Sequence, residues 1–263
     1  MISSITSPQN ARVKSWSALL TKRGREEQAR YLLEGVHLVQ EALKAGAPIE
    51  TILIQQGQAW PVEISVEQLD GIEQVEVSEA VLAKCSDMQT PQGIVAIVRK
   101  ETRALDMIIE TANSLVIIVD GIQDPGNLGT IVRSADSVGA TAVLLGAGTV
   151  DLYNPKTIRA TMGSLFHLPI VQTDLTPILE KAVELGIQVV GTSLAATHSC
   201  YDLNLTRSTW FVVGNEGSGV SPQVDSLVSE RVKIPMPGQA ESLNVAMAST
   251  VLLFEAMRQR LIS

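Results

Sequence analysis

Three stretches of this 263-residue chain set polar side chains beside chain-turning residues, where groups that do chemistry tend to gather. In DGIQDPGNLGTIVRSADSVGA (residues 120–140) an Asp-Pro-Gly-Asn turn leads into a helix. Asn127 can cap that helix, and Arg133 lies six residues on, roughly 9 Å along the axis, with a side chain that leans back toward the turn. In FVVGNEGSGVSP (211–222) an apolar strand runs into Gly214, Asn215, Glu216 and Gly217. Such glycines let backbone approach a ligand, and Glu216 offers a carboxylate in the same loop. In KIPMPGQAESLNVAMASTVLLFEAMRQR (233–260) Ser242 stands where an N-cap would, and Asn244 is a polar residue on an otherwise apolar helix. A buried Asn there needs partners, which a ligand with amide, carboxylate or hydroxyl groups would supply and neighbouring backbone would too. These groups suit binding and orienting a polar ligand. No Gly-Lys-Ser/Thr follows the loop at 214, its glycines miss the GxGxxG order, and GAG at 146–148 is too short, so neither a Walker loop nor a dinucleotide fingerprint is present.

The elements that must hold these segments follow from periodicity. Ala11 to about Arg23 reads as an amphipathic helix through Val13, Trp16, Leu19 and Leu20, with basic residues on its polar face. Short strands are expected at 31–33, 51–54, 62–66, 75–77 and 93–98, with helices over VHLVQEALKAG and 79–85. The charged RKETRALD run near residues 99–106 marks a boundary. Beyond it, strands at 115–119, 141–145, 187–190, 210–213 and 232–234 alternate with helices, as a parallel sheet covered by helices requires. The last helix, Leu243 to about Arg260, is apolar on nearly every side and must be buried on most faces, in the core or against another subunit. The fold class is α/β.

Composition narrows the function. No apolar run approaches 18 residues, and MISSITSPQNARVK lacks a secretory layout, so a soluble cytoplasmic protein without membrane attachment is expected. Cys85 and Cys200 are isolated, and His37, His167 and His198 have no ligand spacing, so no disulfide and no metal is expected. A net charge of −8 opposes broad nucleic-acid binding. Within the first 35 residues, however, Arg12, Lys14, Lys22, Arg23, Arg25 and Arg30 outnumber the acids and make a local basic surface, readable as an RNA contact or as a solvated helix face.

Together, in order and spacing, the three segments closely resemble the signature motifs of the SpoU/TrmH branch of the SPOUT methyltransferases, over about residues 114–260. SPQNARVK, YLLEGVHLVQEAL and PQGIVAIV in the first hundred residues look like the ribosomal-protein-like substrate-binding domain that precedes the catalytic domain in many relatives. The resemblance implies an RNA substrate-binding domain over 1–100 and a methyltransferase domain over 106–263. The latter would be a trefoil-knotted α/β unit with a mostly parallel sheet. It further implies a homodimer, S-adenosylmethionine as cofactor, and 2'-O-methylation of a ribose in ribosomal or transfer RNA. Pattern-reading alone would give an ordinary doubly wound sheet. Carried onto this chain, the cofactor positions are Thr192, Ser193, Leu194, Gly214, Asn215, Glu216, Gly217, Ile234, Met236, Pro237, Leu243 and Asn244. The catalytic and substrate-orienting positions are Asn127, Arg133, Glu216, Ser242 and Asn244.

The family proposal casts the arginine as base. A guanidinium holds its proton in proteins, so Arg133 reads instead as a clamp on the RNA phosphate that also orients the hydroxyl, with Ser242 assisting. Against the methyltransferase reading stand a non-catalytic RNA-binding protein that keeps the knot, which the five intact polar positions oppose, and an α/β enzyme using another nucleotide cofactor, such as a dehydrogenase, which the missing fingerprint opposes. The extra N-terminal domain and its basic helix favour ribosomal over transfer RNA.

Overall fold

The computed structural model describes residues 3–101, 105–193 and 196–262. Two compact units emerge: one holds the chain up to Glu101 together with Asp151–His167, the other holds the chain from Thr102 to Val150 and from Leu168 onward. Membership of 151–167 in the first unit has no counterpart in the sequence pattern.

The first unit runs β1 (Ser3–Ile5), α1 (Ala11–Ala18), α2 (Lys22–Gln28), β2 (Arg30–Glu34), α3 (Val36–Lys44), β3 (Ile49–Gln55), β4 (Glu73–Val77), α4 (Glu79–Lys84) and β5 (Ile94–Arg99). Its five strands lie in the order β1-β4-β3-β5-β2. Val13, Trp16 and Leu19 pack with Leu53, Val75, Val95 and Ile97, so the three- and four-residue spacing of the first helix does face a core. That helix is two. Thr21 caps a second start by accepting from Gly24 N, and Leu19 to Thr21 form the break. The strand expected at 62–66 is absent: turns fill 62–63, and a short 3-10 helix spans Val66–Leu69.

The second unit continues with α5 (Asp106–Ile109), β6 (Leu115–Asp120), α6 (Pro125–Ser137) and β7 (Ala142–Leu145). After α7 (Pro155–Thr161), which belongs to the first unit, come β8 (Ile170–Gln172), α8 (Leu175–Glu184), β9 (Gln188–Thr192), β10 (His198–Ser199), β11 (Thr209–Gly214), α9 (Pro222–Asp225), β12 (Glu230–Lys233) and α10 (Val245–Ile262). All strand pairs are parallel, in the order β10-β12-β9-β11-β6-β7-β8. Val116 to Val119 are fully buried on both faces of the sheet, as expected of a β-branched run in a helix-covered parallel sheet. An ordinary doubly wound sheet would add strands outward in sequence order. Here β11 instead enters between β6 and β9, and β12 between β9 and β10. Such interleaving departs from the simple alternation and accords with the α/β-knot class.

The last helix is not buried on all sides. Ala246, Ser249, Leu252, Leu253 and Ala256 are covered, whereas Met247, Phe254 and Leu261 are exposed. Arg260 anchors its end by donating to the carbonyls of Leu205, Asn113, Ser114 and Arg207.

Candidate active site

The three polar segments meet at the C-terminal edge of the second unit's sheet. Strand β6 ends at Asp120 in register with Gly214, the end of β11, so the loops that follow the two strands start side by side. The loop after β6 turns into α6 through Asp124, whose Oδ1 accepts from Asn127 N at 2.8 Å, with Pro125 preset for the first turn. Asp124 therefore caps this helix, and the side chain of Asn127 is released from the capping role expected of it. The loop after β11 doubles back on itself: Asn215 and Gly219 exchange backbone hydrogen bonds. A Cβ on Gly214 would overlap the backbone of Gly219 and Val220, so only glycine permits that fold-back. Asn215 ties the two loops together. Its Nδ2 donates to Gly121 O at 2.8 Å, and its Oδ1 accepts from Gly217 N and Ser218 N. On the other side Ser221 N donates to Asp120 at 2.7 Å.

Within this frame Glu216, Asn127 and Asn244 form one chain of hydrogen bonds. Glu216 accepts from Gln123 N and Asp124 N, both at 3.1 Å, and from Asn127 Nδ2 at 2.9 Å. Asn127 Oδ1 accepts from Asn244 Nδ2 at 3.0 Å. Asn244 Oδ1 in turn accepts from Ala246 N and Met247 N, so Asn244, not Ser242, caps α10. Asn244 is exposed, contrary to the buried position expected for it, and Glu216 is exposed as well. Partial burial pushes the Glu216 carboxyl up, but the Asn127 amide and the backbone donors outweigh it and hold the group below the usual carboxylate range. A carboxylate that stays ionised keeps Asn127 in one orientation, its oxygen toward Asn244.

Beside this network is a cavity of about 380 Å³, within the size range of cofactor pockets. Thr192, Ser193, Gly214, Asn215, Glu216, Ile234, Met236, Leu243 and Asn244 line it, together with Ser242. Gly217 and Pro237 do not line it, and Leu194 lies outside the described residues. Gly219, Val220, Val232, Lys233, Val245 and Ala248 complete the wall and were not foreseen. Strand alternation next to the IPM segment could have pointed to Val232. The donor set fits S-adenosylmethionine: apolar Val220, Ile234, Met236 and Leu243 for a flat base, loop amides for polar edges, and the Glu216 carboxylate for a cationic sulfonium.

Arg133 is exposed on α6, and its guanidinium makes no hydrogen bond or ion pair among the described residues. The basic residues of the first unit are different. Arg25 is 2% exposed, ion-pairs with Asp151 at 2.7 Å and donates to Leu19 O, so it is a buried structural group and leaves the expected RNA-contacting set. Arg12 pairs with Glu73, Lys22 with Glu26, Arg23 with Glu27 and Arg30 with Glu50; Lys14 alone of the six makes no ion pair among the described residues. Burial drives the Cys85 thiol up to about 12, which leaves it unreactive. No cluster of metal-ligating side chains occurs among the described residues. No described helix is long and apolar enough to cross a membrane.

Comparisons with known proteins find relatives over nearly the whole chain. Residues 114–254 match the SpoU rRNA Methylase family, and residues 10–96 match the MRM3-like substrate binding domain. The chain is 37% identical over 250 residues to the 23S rRNA (guanosine(2553)-2'-O)-methyltransferase RlmP of Bacillus subtilis, covering 95% of this chain and 97% of the relative. It is 30% identical to human mitochondrial rRNA methyltransferase 3, covering 96% of this chain and 73% of the relative. The crystal structure of the SpoU methyltransferase AviRb from Streptomyces viridochromogenes with AdoMet superposes at a TM-score of 0.87, with 32% identity over 96% of this chain and 99% of that one.

Proposed function

The chain belongs to the SpoU rRNA methylase family and is an S-adenosylmethionine-dependent RNA 2'-O-methyltransferase; on that footing we propose that it acts in the cytoplasm, as a homodimer, on a single ribose of 23S ribosomal RNA. The observation that carries the reading is the Glu216–Asn127–Asn244 chain at the rim of the cavity, because it fixes polar atoms where cofactor and ribose would have to meet.

Bound S-adenosylmethionine supplies a methyl group already activated by the sulfonium charge. The protein's task is then positioning, worth several kcal/mol of the barrier. Thr192, Ser193, Gly214, Asn215, Ile234, Met236 and Leu243 would hold the cofactor, and Glu216 would face its cationic centre. Asn127 and Asn244, locked to each other, would orient the ribose hydroxyl. Arg133, whose guanidinium makes no hydrogen bond or ion pair among the described residues, would clamp the neighbouring phosphate, with Ser242 assisting at the cavity. The hydroxyl proton leaves to phosphate or water.

The homodimer is supported by the exposed side of α10. Met247, Val251, Phe254 and Leu261 follow one another there at spacings of four, three and seven residues; Met247, Phe254 and Leu261 are 50, 41 and 75% exposed. Such a seam suits a second helix of the same kind. The first unit would bind the RNA substrate and the second would carry catalysis, a division that differs from the expected domains over 1–100 and 106–263 in giving residues 151–167 to the first unit.

Transfer of labelled methyl from S-adenosylmethionine to unmodified 23S rRNA transcript, with the site mapped by resistance of its 3'-linkage to alkali, tests the reading. One alkali-resistant site is expected. Label on a base, or on transfer RNA alone, would overturn it.

A further inference from the structure

Two motifs of the first unit remain without a role: Glu34-Gly35, and Pro91-Gln92-Gly93. We propose that they build a rigid edge on which exposed carboxamides read unpaired bases of the RNA substrate; this rests on the functional reading above. The basic helix face is a poor candidate for that task because its cations are largely neutralised by Glu73, Glu26, Glu27, Asp151 and Glu50.

The edge is built around one acid. Glu34 is 8% exposed and accepts from Ser86 Oγ at 2.8 and 2.7 Å on its two oxygens and from Gln92 N at 3.2 Å. A nearly buried carboxylate is thus spent on fixing the 86–92 loop. The loop is pinned again where Gly35 N donates to Ile94 O and Gln55 N to Gly93 O. Gly35 and Gly93 have φ of 101° and 80°, which only glycine adopts freely. A Cβ on Gly35 would overlap the Gln92 amide, and one on Gly93 would overlap the Gln58 amide. The positive φ requires both motif glycines, and a glutamine amide lies against the bare backbone of each.

What the edge displays is neutral and hydrogen-bonding. Gln58, Gln89, Thr90 and Gln92 are exposed, half-buried Trp60 lies in the Gln58 loop, and exposed Lys156 stands near Asp87 at the other end. Carboxamides both donate and accept, which matches base edges and not phosphates; an aromatic ring offers a stacking platform. In a protein of net charge −8 such a surface selects RNA by its splayed bases while attracting little duplex.

The test uses the full chain and an in vitro 23S rRNA transcript. The Q58A/Q89A/Q92A variant is expected to raise Kd and KM for the transcript at least about tenfold. Its kcat at saturating RNA, its S-adenosylmethionine affinity and its slope of log Kd on log salt should stay unchanged, since no phosphate contact is lost. Gln58 and Gln92 pack on backbone, so the single Gln89→Ala change, at a side chain with no hydrogen bond among the described residues, guards against a folding artefact; it should weaken binding in the same direction by about threefold. A K14A/K22A/R23A variant should lose less than the glutamine variant. Transcript binding unaltered in both glutamine variants, or a larger loss from the basic-face variant, would overturn the proposal. An unaltered chain that transfers no methyl to RNA removes the functional reading and this edge with it; an active chain with indifferent glutamine variants removes the edge alone.

Discussion

Asn127→Asp is the most informative single change in the site, because it exchanges one NH2 for one oxygen at a point where the structure fixes the consequence. In the wild type Asn127 Nδ2 donates to Glu216 Oε1 at 2.9 Å. The aspartate would place a second carboxylate oxygen at that distance. One hydrogen bond to a charged group, typically about 1.5–3 kcal/mol, is lost. A like-charge contact is added, about 1 kcal/mol at 4 Å in water and about 4 kcal/mol at an effective dielectric of 20. Glu216 is exposed, so solvent screening places the sum at the lower end, about 2–3 kcal/mol at pH 8. The penalty depends on pH with a definite sign. Two facing carboxyls in the folded state share a proton, so one titrates above its unfolded value near 4. That group binds its proton more tightly when folded, and the variant regains stability as pH falls through the raised value. In the wild type the Glu216 carboxyl is lowered, so its contribution is fully present above the ordinary carboxylate range and is lost as pH falls through the folded value. Between pH 8 and 5 the gap in thermal midpoint between N127D and wild type should therefore narrow, while Asn127→Ala, which adds no charge, shows a smaller gap that hardly moves. Both variants should lose methyl transfer at pH 8. Equal melting of N127D and wild type at pH 8, or a gap that widens toward pH 5, would refute the reasoning from the Glu216–Asn127 contact.

Four further changes address separate parts of the architecture. Gly214→Ala forces a methyl into the backbone of Gly219 and Val220; isothermal titration should show S-adenosylmethionine binding weakened about 100-fold, and the fold-back account fails if affinity is retained. Arg133→Lys keeps the charge and loses the planar fork, so transfer to RNA should fall at least about tenfold with cofactor affinity unchanged; substantial retained activity counts against the phosphate clamp. Arg25→Met strands Asp151, whose side chain is 12% exposed, and should cost about 3–5 kcal/mol in urea denaturation, whereas Arg23→Met, on a solvated helix face, should cost less than about 0.5 kcal/mol. Equal effects of the last two would place Arg25 back on the surface.

How much of the fold the sequence discloses depends on whether an element is specified locally. Strand β6 is legible because Leu115 to Val119 is an unbroken apolar run of mostly β-branched residues, and both of its faces are buried. The start of α6 is placed by Asp124-Pro125 and is legible once the Asp, not Asn127, is taken as cap. The break between α1 and α2 is signalled only by Thr21, whose capping competes with a hydrophobic period that runs on through Leu20. Strand order is a different matter. Nothing in TWFVVG says that β11 enters between β6 and β9, because that choice is made by contacts with segments about 20 and 90 residues earlier in the chain. Likewise Asp151, Tyr153 and Arg159 carry no local sign of packing with the first unit; their partners are Arg25, Tyr31 and Asp87, distant in sequence.

The site shows the same division between residue types and roles. The motifs point to Asn127, Glu216, Ser242 and Asn244, yet the capping roles that local spacing assigns to Asn127 and Ser242 belong to Asp124 and Asn244. The difference has a physical cause. Each cap frees or fixes one amide, and only their combination lets Asn127 bridge a carboxylate on one loop and an amide on another. Charge along the chain misleads more strongly. Six cations within residues 12–30 look like an anion-binding face, but acids at 73, 50 and 151, far outside that window, take three of them, and i,i+4 glutamates take two more. A window of sequence counts charges, whereas a surface counts the charges left after pairing, and by that measure α1 and α2 offer RNA much less free positive charge than their sequence suggests.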